Sequence, residues 1–319
     1  MPQFCSLNLY RIVVESGSLD QIQIHFNASQ SFLLNICLGF IMFGIALDLK
    51  VSDFKNIASQ KKSLIAGLVS QWIYLPILTG ILIFLLKPQH GLAMGMVLIA
   101  ASPGGNVSNY AVHYSKSNTA LSIVLTSITT LMCVFTTPTL FYIMNQVIFQ
   151  NEGSHSFQEV DIKFMDMALI VLKLIIIPSI AGLLFHYKFP NITSQIKKPI
   201  NALSLLIFTG FVAFGVGDNL DNLTNYISDV FYIVLIHNGL ALLGGFVIAR
   251  YIFGLLVSDA RTISIETGIQ NSGLALIIIF SIFNGLGSMA LIAAWWSVWH
   301  LISAMAIATF WRRTKHNPK

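Results

Sequence analysis

The sequence predicts an all-α polytopic membrane protein of about nine transmembrane helices, on three observations. Of its 319 residues 55% are hydrophobic and only 10% are charged, where soluble chains carry roughly 25% charged residues. Apolar runs of membrane-spanning length recur along the chain, joined by short polar connectors, and the mean hydropathy is +0.75. Two of these runs are interrupted at mid-depth by Pro, Gly, amide and hydroxyl residues, which weaken a helix and bring oxygens to a depth where lipid offers none.

In chain order, residues 1–30 are polar, hold Arg11, Glu15 and Asp20, and contain no apolar stretch suited to a signal peptide. Spans are expected over 31–49, 63–86, 91–110, 119–146, 165–186, 200–216, 230–250, 262–283 and 289–311. Asn, Gly, Asp or Lys stands at nearly every join. Apolar character continues past Arg250, so the segment 253–259 is the least defined boundary. The longest connector, 147–164, carries Glu152, Glu159 and Asp161 and has room for a short interfacial helix. Residues 312–319 form a basic tail. Cys5, Cys37 and Cys133 make neither a disulfide framework nor a metal-binding spacing, and the last two are expected only to pack.

The basic residues set the orientation. With the N-terminus outside, the inner connectors and tail hold Lys50, Lys55, Lys61, Lys62, Lys116, Lys188, Lys197, Lys198, Arg250, Arg261, Arg312, Arg313, Lys315 and Lys319. The outer side keeps only Arg11, Lys87 and Lys163, and Lys173 falls inside a helix. Cytoplasmic loops concentrate Lys and Arg, so the C-terminus is cytoplasmic and an odd number of spans is required. The net charge of +5 therefore reports topology and gives no sign of a nucleic-acid partner. Short loops and minimal tails suit a bacterial inner membrane.

The two interruptions are Ser102-Pro103-Gly104-Gly105-Asn106-Val107-Ser108-Asn109 in the third span and Glu266-Thr267-Gly268-Ile269-Gln270-Asn271-Ser272-Gly273 in the eighth. The first runs outside to inside and the second inside to outside, five spans apart. That arrangement fits an inverted duplication of five helices with the first helix of the first copy missing. Residues 31–146 would be the first repeat, with four helices, and 165–311 the second, with five. Pro103, Gly104, Gly105 and Gly268 would break the helices. Glu266 is the only acid in the middle of any expected span; ionised there, it costs roughly 2.5–3.5 kcal/mol on insertion scales unless a partner compensates it.

These runs, with Met42-Phe43-Gly44 and the segment from Leu47 to Phe54, resemble the bile acid:sodium symporter family over about Asn35 to Trp311. The resemblance implies a core domain with two crossed broken helices beside a mobile panel domain, and sodium-coupled uptake of an organic anion. Matched onto this sequence, one sodium ion would take oxygens from Ser108, Asn109, Ser122, Thr126 and Glu266. A second would take Gln71, Gln270 and Glu266 with backbone carbonyls near Thr267 and Ile269. Each matched side-chain position holds an oxygen-bearing residue, as a hard cation needs. Ser122 and Thr126 lie four apart, on one helix face.

Plainer readings stand beside these. A Ser or Thr in a membrane helix often bonds back to its own helix, Gln71 could join two helices, and the glycines could serve close packing. Asn106, Asn271 and His300 are the residues expected to meet substrate; a packed His300 is the alternative. Leu301 follows it where bacterial relatives carry Asn, which removes one polar contact. Lys173 reads as a snorkelling lysine, His237 and Asn238 as packing or panel residues. The Asn-X-Ser/Thr matches at Asn27, Asn106, Asn191 and Asn222 carry little weight.

The function expected is a sodium-coupled secondary symporter importing an organic anion by alternating access. The anion would be a small carboxylate such as pantoate or pyruvate, or a bile acid or steroid conjugate. A sodium/proton antiporter would need a second acid at the crossing, and a non-transporting sensor would not need two sodium shells. No Ser/His/Asp set, HExxH or phosphate-cradling loop suggests an enzyme. Oligomeric state is not legible.

Overall fold

A computed structural model describes residues 61–105, 107–149, 164–217 and 227–314, and before them 36, 39–40, 42–44 and 46–47. Nearly all of these are helical. Ten helices are named: α1 (Lys61–Leu86), α2 (His90–Ala101), α3 (Val107–Tyr114), α4 (Thr119–Phe149), α5 (Phe164–Lys188), α6 (Pro190–Gly217), α7 (227–252), α8 (Val257–Gly268), α9 (Ser272–Ile282) and α10 (Gly287–Arg313). Among the described residues, α1, α4, α5, α10 and residues 230–252 of α7 are long and apolar enough to cross a membrane. Helices α2 and α9 are apolar but shorter. The chain is an all-α polytopic membrane protein.

The expected third and eighth spans are each two successive helices separated by a break, α2 then α3 and α8 then α9. Helix α2 ends at Ala101, its last turn closed by the Ser102 N–H on the Ile99 carbonyl (3.1 Å). Pro103 then has no N–H to continue it. Helix α8 ends at Gly268, and α9 restarts at Ser272 under an N-cap in which Asn271 Oδ1 accepts the Leu274 N–H at 3.0 Å. The expected eighth span began at 262. Helix α8 begins five residues earlier, because the polar residues Ser258, Asp259 and Arg261 find partners inside the protein rather than at a loop surface.

Two long helices widen where proline follows. In α1 the Leu75 N–H reaches back five residues to the Ser70 carbonyl, and Pro76 comes next; in α5 the Ile177 N–H reaches Leu172 before Pro178. A π turn takes up the backbone misfit that a proline creates. In α1 that turn carries Ser70 and Gln71 towards α8, where the Ser70 and Thr267 hydroxyls hydrogen-bond at 2.7 Å.

Helices α7 and α8 come close enough for backbone contact. Ser264 donates to the Leu242 carbonyl at 2.5 Å, and a Cβ on Gly245 would stand 2.8 Å from Thr267 Oγ1 and 3.0 Å from the Ile263 carbonyl oxygen. Around them one apolar core joins α1, α2, α4, α5, α7, α9 and α10, with Trp296 and Phe141 among its largest fully buried side chains. Cys133 is a free thiol in that core. The described part of the expected first span packs on α5, with the rings of Phe43 and Phe185 5.9 Å apart. Cys5, Cys37 and the connector 150–163 lie outside the described residues.

The glycines of α7 separate close packing from helix propensity. Gly245→Ala should destabilise the protein by about 1–3 kcal/mol through overpacking and so lower the melting temperature. Gly239→Ala, where nothing lies within 4 Å of the added Cβ, should leave the melting temperature unchanged or raise it, for a gain in stability of up to about 1 kcal/mol. Thermal unfolding in detergent checks both.

Candidate functional site

The interruptions meet. Gly104 and Gln270 form an antiparallel backbone bridge: the Asn271 N–H donates to the Pro103 carbonyl at 2.8 Å and the Gly105 N–H to the Ile269 carbonyl at 3.0 Å. Such approach requires residues without side chains. A Cβ on Gly105 would lie 3.0 Å from the Gln270 carbonyl oxygen. Gly104 is ringed differently: its Cβ would meet Glu266 Oε2, Gln71 Oε1 and Thr129 Oγ1 at 3.2, 3.4 and 3.5 Å.

Glu266 lies beside this bridge, fully buried. Its carboxylate accepts hydrogen bonds from Ser108 on α3 and from Ser122 and Thr126 on α4, the last at 2.9 Å to Oε2. Asn109 joins through Ser122, whose hydroxyl reaches its Oδ1 at 2.7 Å. The structure therefore brings together Ser108, Asn109, Ser122, Thr126 and Glu266. Ser122 and Thr126 face across to α8, whereas Ser127 bonds back to the Ile123 carbonyl of its own helix at 2.6 Å.

The second expected set surrounds the end of α8. A helix end leaves orphan carbonyls. The Thr267 carbonyl accepts from the Gln270 side-chain amide at 2.9 Å and that of Ile269 from Gly105. Gln270 Oε1 and both amide atoms of Gln71 are buried without a hydrogen-bond partner. Unpaired buried polar atoms are expensive, and here they border a carboxylate. The junction is lined by carboxylate, hydroxyl, amide and carbonyl oxygens, the ligand types that hard cations take.

Of the residues expected to meet substrate, Asn271 has its side-chain oxygen engaged as the α9 cap, and Asn106 lies outside the described residues. His300 is buried in α10 with its Nδ1 unbonded. His237 has a packing role, bonded to Thr79 at 2.8 Å with its ring 5.0 Å from that of Trp296. Lys173 is an exposed residue of α5.

Sequence reasoning missed three residues. Thr129 donates nothing to Glu266 but accepts the Gly104 N–H at 3.2 Å; its position one turn beyond Thr126 was the available signal. Asn238 donates to the Gly268 carbonyl at 2.7 Å. Asp259, two turns before Glu266 on α8, is buried and accepts from Ser63 (2.6 Å) and Asn118 (2.9 Å). It borders an open cleft of about 530 Å³ with Lys116, Ser117, Asn118, Leu256 and Ser258.

Two interrupted helices meeting beside a buried acid within an apolar bundle define the secondary-transporter class rather than an enzyme. A model of the Sodium Bile acid symporter family matches residues 35–226, more than half of the chain, and the protein belongs to that family. It is 32% identical over 286 residues to "Uncharacterized sodium-dependent transporter YocS" of Bacillus subtilis, covering 89% of this chain and 84% of that protein. It is 28% identical to "Probable sodium/metabolite cotransporter BASS2, chloroplastic" of Oryza sativa subsp. japonica over 88% of this chain. To "Probable sodium/metabolite cotransporter BASS1, chloroplastic" of Arabidopsis thaliana it is 27% identical over 87%. The matches span 64% and 66% of these two plant proteins.

The hydroxyls of α4 give a direct test. Ser122→Ala and Thr126→Ala each remove a donor from a buried carboxylate and should destabilise the protein by about 1.5–3 kcal/mol. Ser127→Ala, which loses only a neutral hydroxyl bonded back to its own helix, should cost less, at most about 1 kcal/mol. Melting temperatures of the three variants in one buffer measure the difference.

Proposed function

We propose that the protein is a secondary active symporter that uses a sodium gradient to import an organic anion. The observation that carries this reading is the Glu266 carboxylate, fully buried and held by neutral hydroxyls with no basic side chain paired to it among the described residues. A bound cation is the compensation such a charge requires. Family membership and relatives named as sodium-dependent support sodium as that cation.

Two ions are proposed. One binds Ser108, Asn109, Ser122, Thr126 and Glu266. The other binds Gln71, Gln270, Glu266 and the carbonyls of Thr267 and Ile269, and the unpartnered amide oxygens of Gln71 and Gln270 support it. Both carbonyls already accept one hydrogen bond and would offer the second lone pair. Ion binding stabilises the crossing, and the anion then binds near Asn106, Asn271 and His300, where α3 and α9 present helix N-termini.

Residues 31–146 and 165–311 serve as inverted repeats, with a core that contains the crossing rocking against a panel of the first span, α5 and α6. The N-terminus lies outside and the basic C-terminal tail in the cytoplasm, in a bacterial inner membrane. A small carboxylate such as pantoate or pyruvate is the favoured substrate, ahead of a bile acid or steroid conjugate. An antiporter would need a second acid at the crossing, and Glu266 is the only carboxylate there among the described residues.

Proteoliposomes test the reading. Labelled pyruvate, pantoate or taurocholate should accumulate only under an inward sodium gradient; uptake indifferent to sodium overturns symport. Sodium should also stabilise the protein, by about 2.7 kcal/mol at a hundred times its Kd, and so raise the melting temperature. Glu266→Gln should abolish that rise, and its persistence would place the ions elsewhere.

A further inference from the structure

We infer that Asn238 is a positioning residue that ties the ion-binding interruption to the helix carrying His300. The inference rests on the sodium reading above and extends it to a residue on neither side of that site. Asn238 lies mid-way along α7, fully buried. Its Nδ2 donates to the carbonyl of Gly268, the last residue of α8, at 2.7 Å, and its Oδ1 accepts the Ser303 hydroxyl of α10 at 2.6 Å. Ser303 also reaches the His300 carbonyl at 3.2 Å. One amide thus joins three helices, with both of its ends engaged.

The place of that bond gives it leverage. The carbonyls at the end of α8 are held in several ways: Ile265 takes the Ile269 N–H, Glu266 and Thr267 the Gln270 side-chain amide at 3.5 and 2.9 Å, Gly268 the Asn238 amide and Ile269 the Gly105 N–H. Only the Gly268 carbonyl is held by another helix's side chain. It sits between Thr267 and Ile269, whose carbonyls are assigned to the second ion. Holding the Gly268 carbonyl also holds the Ile269 N–H of the same planar peptide, and this restrains, through one φ/ψ pair on each side, where the Thr267 and Ile269 carbonyls can turn. Gly268 is also pressed against Leu242 of α7, which an added Cβ would strike, and such a Cβ would stand 3.6 Å from Asn238 Nδ2. The contact therefore has little slack. Movement of the α8 end when ions bind or leave must pull on Asn238, and through Ser303 on α10.

The last helix carries its own reporter. Four of the five tryptophans, Trp295, Trp296, Trp299 and Trp311, lie on α10, and the fifth is Trp72. In a Trp72→Phe background the intrinsic fluorescence reports α10 alone. Sodium, against potassium at equal ionic strength, should change that fluorescence and raise the melting temperature at the same half-saturating concentration.

Two variants divide the roles. Asn238→Asp keeps the size and the acceptor for Ser303 but loses the donor to Gly268; the sodium concentration for half-maximal stabilisation should rise about tenfold, equal to 1.4 kcal/mol. Ser303→Ala keeps the Gly268 bond. It should bind sodium within twofold of the parent by melting shift while losing most of the sodium-induced fluorescence change. If Asn238→Asp does not fold, Ser303→Ala still decides the tie to α10. A parent that shows no sodium-specific stabilisation overturns the sodium reading itself. A parent that shows it, with both variants matching it in half-saturation and fluorescence, overturns the inference.

Discussion

A helix that stops inside an apolar bundle leaves N–H and C=O groups that only protein can satisfy, and in this protein each of the two stopped helices satisfies the other. Pro103 and Ile269 supply carbonyls; Asn271 and Gly105 supply the N–H groups that meet them. The rest follows from that exchange. It favours glycine at 105, where a Cβ would stand 3.0 Å from the Gln270 carbonyl oxygen, and leaves little room at 104, where a Cβ would come 3.2 Å from Glu266 Oε2. It brings α3 and α8 within reach of α4, so hydroxyls spaced one turn apart on a regular helix line up against an acid on an interrupted one.

The acid adds to this packing solution a charge that the packing alone leaves uncompensated. Hydroxyl hydrogen bonds offset part of the desolvation of a buried carboxylate, but each is a dipole, and none supplies the opposite charge that a buried ion calls for. Ser108, Ser122 and Thr126 also keep lone pairs when they donate. The same oxygens can therefore turn from solvating a carboxylate to sharing a cation with it. That change needs no new side chain and no large movement, only reorientation of hydroxyls already in place.

The interruptions were legible because Pro, Gly and amides in an apolar run contradict the local pattern, and such contradictions gather at functional positions. The face shared by Ser122 and Thr126 was legible from period alone, although period could not say that these two cross to α8 while Ser127 bonds to its own turn. Asn238 was not legible. One amide in a helix that otherwise reads as apolar has a packing explanation in sequence, and only the approach of Gly268 shows which carbonyl it serves. Asp259 was hidden by a boundary: charge beyond an apolar run reads as a connector until Ser63 and Asn118, distant in sequence, are seen to receive it. Long-range partners of single polar residues carry no period, so propensity and pattern cannot find them.

Asp259 and Glu266 stand two turns apart on α8, and each is held by α4 or the residue that caps it. Asn118 accepts the Leu121 N–H at the start of α4 and donates to Asp259, while Ser122 and Thr126 follow at one and two turns and bond Glu266. Helix α8 is thus tied to α4 at its N-terminal end and at its interrupted end, with Thr262 between them bonded to the Asn118 carbonyl at 3.3 Å. Across the other face of α8, Gly245, Leu242 and Asn238 of α7 make contacts too close to slide. A helix fixed on two sides by polar bonds and backbone approach moves with its neighbours or not at all. The N-terminal part of α8 is therefore held by both neighbours, and the freedom left to the interrupted pair lies at its end, where residues 269–271 join α8 to an α9 capped by Asn271.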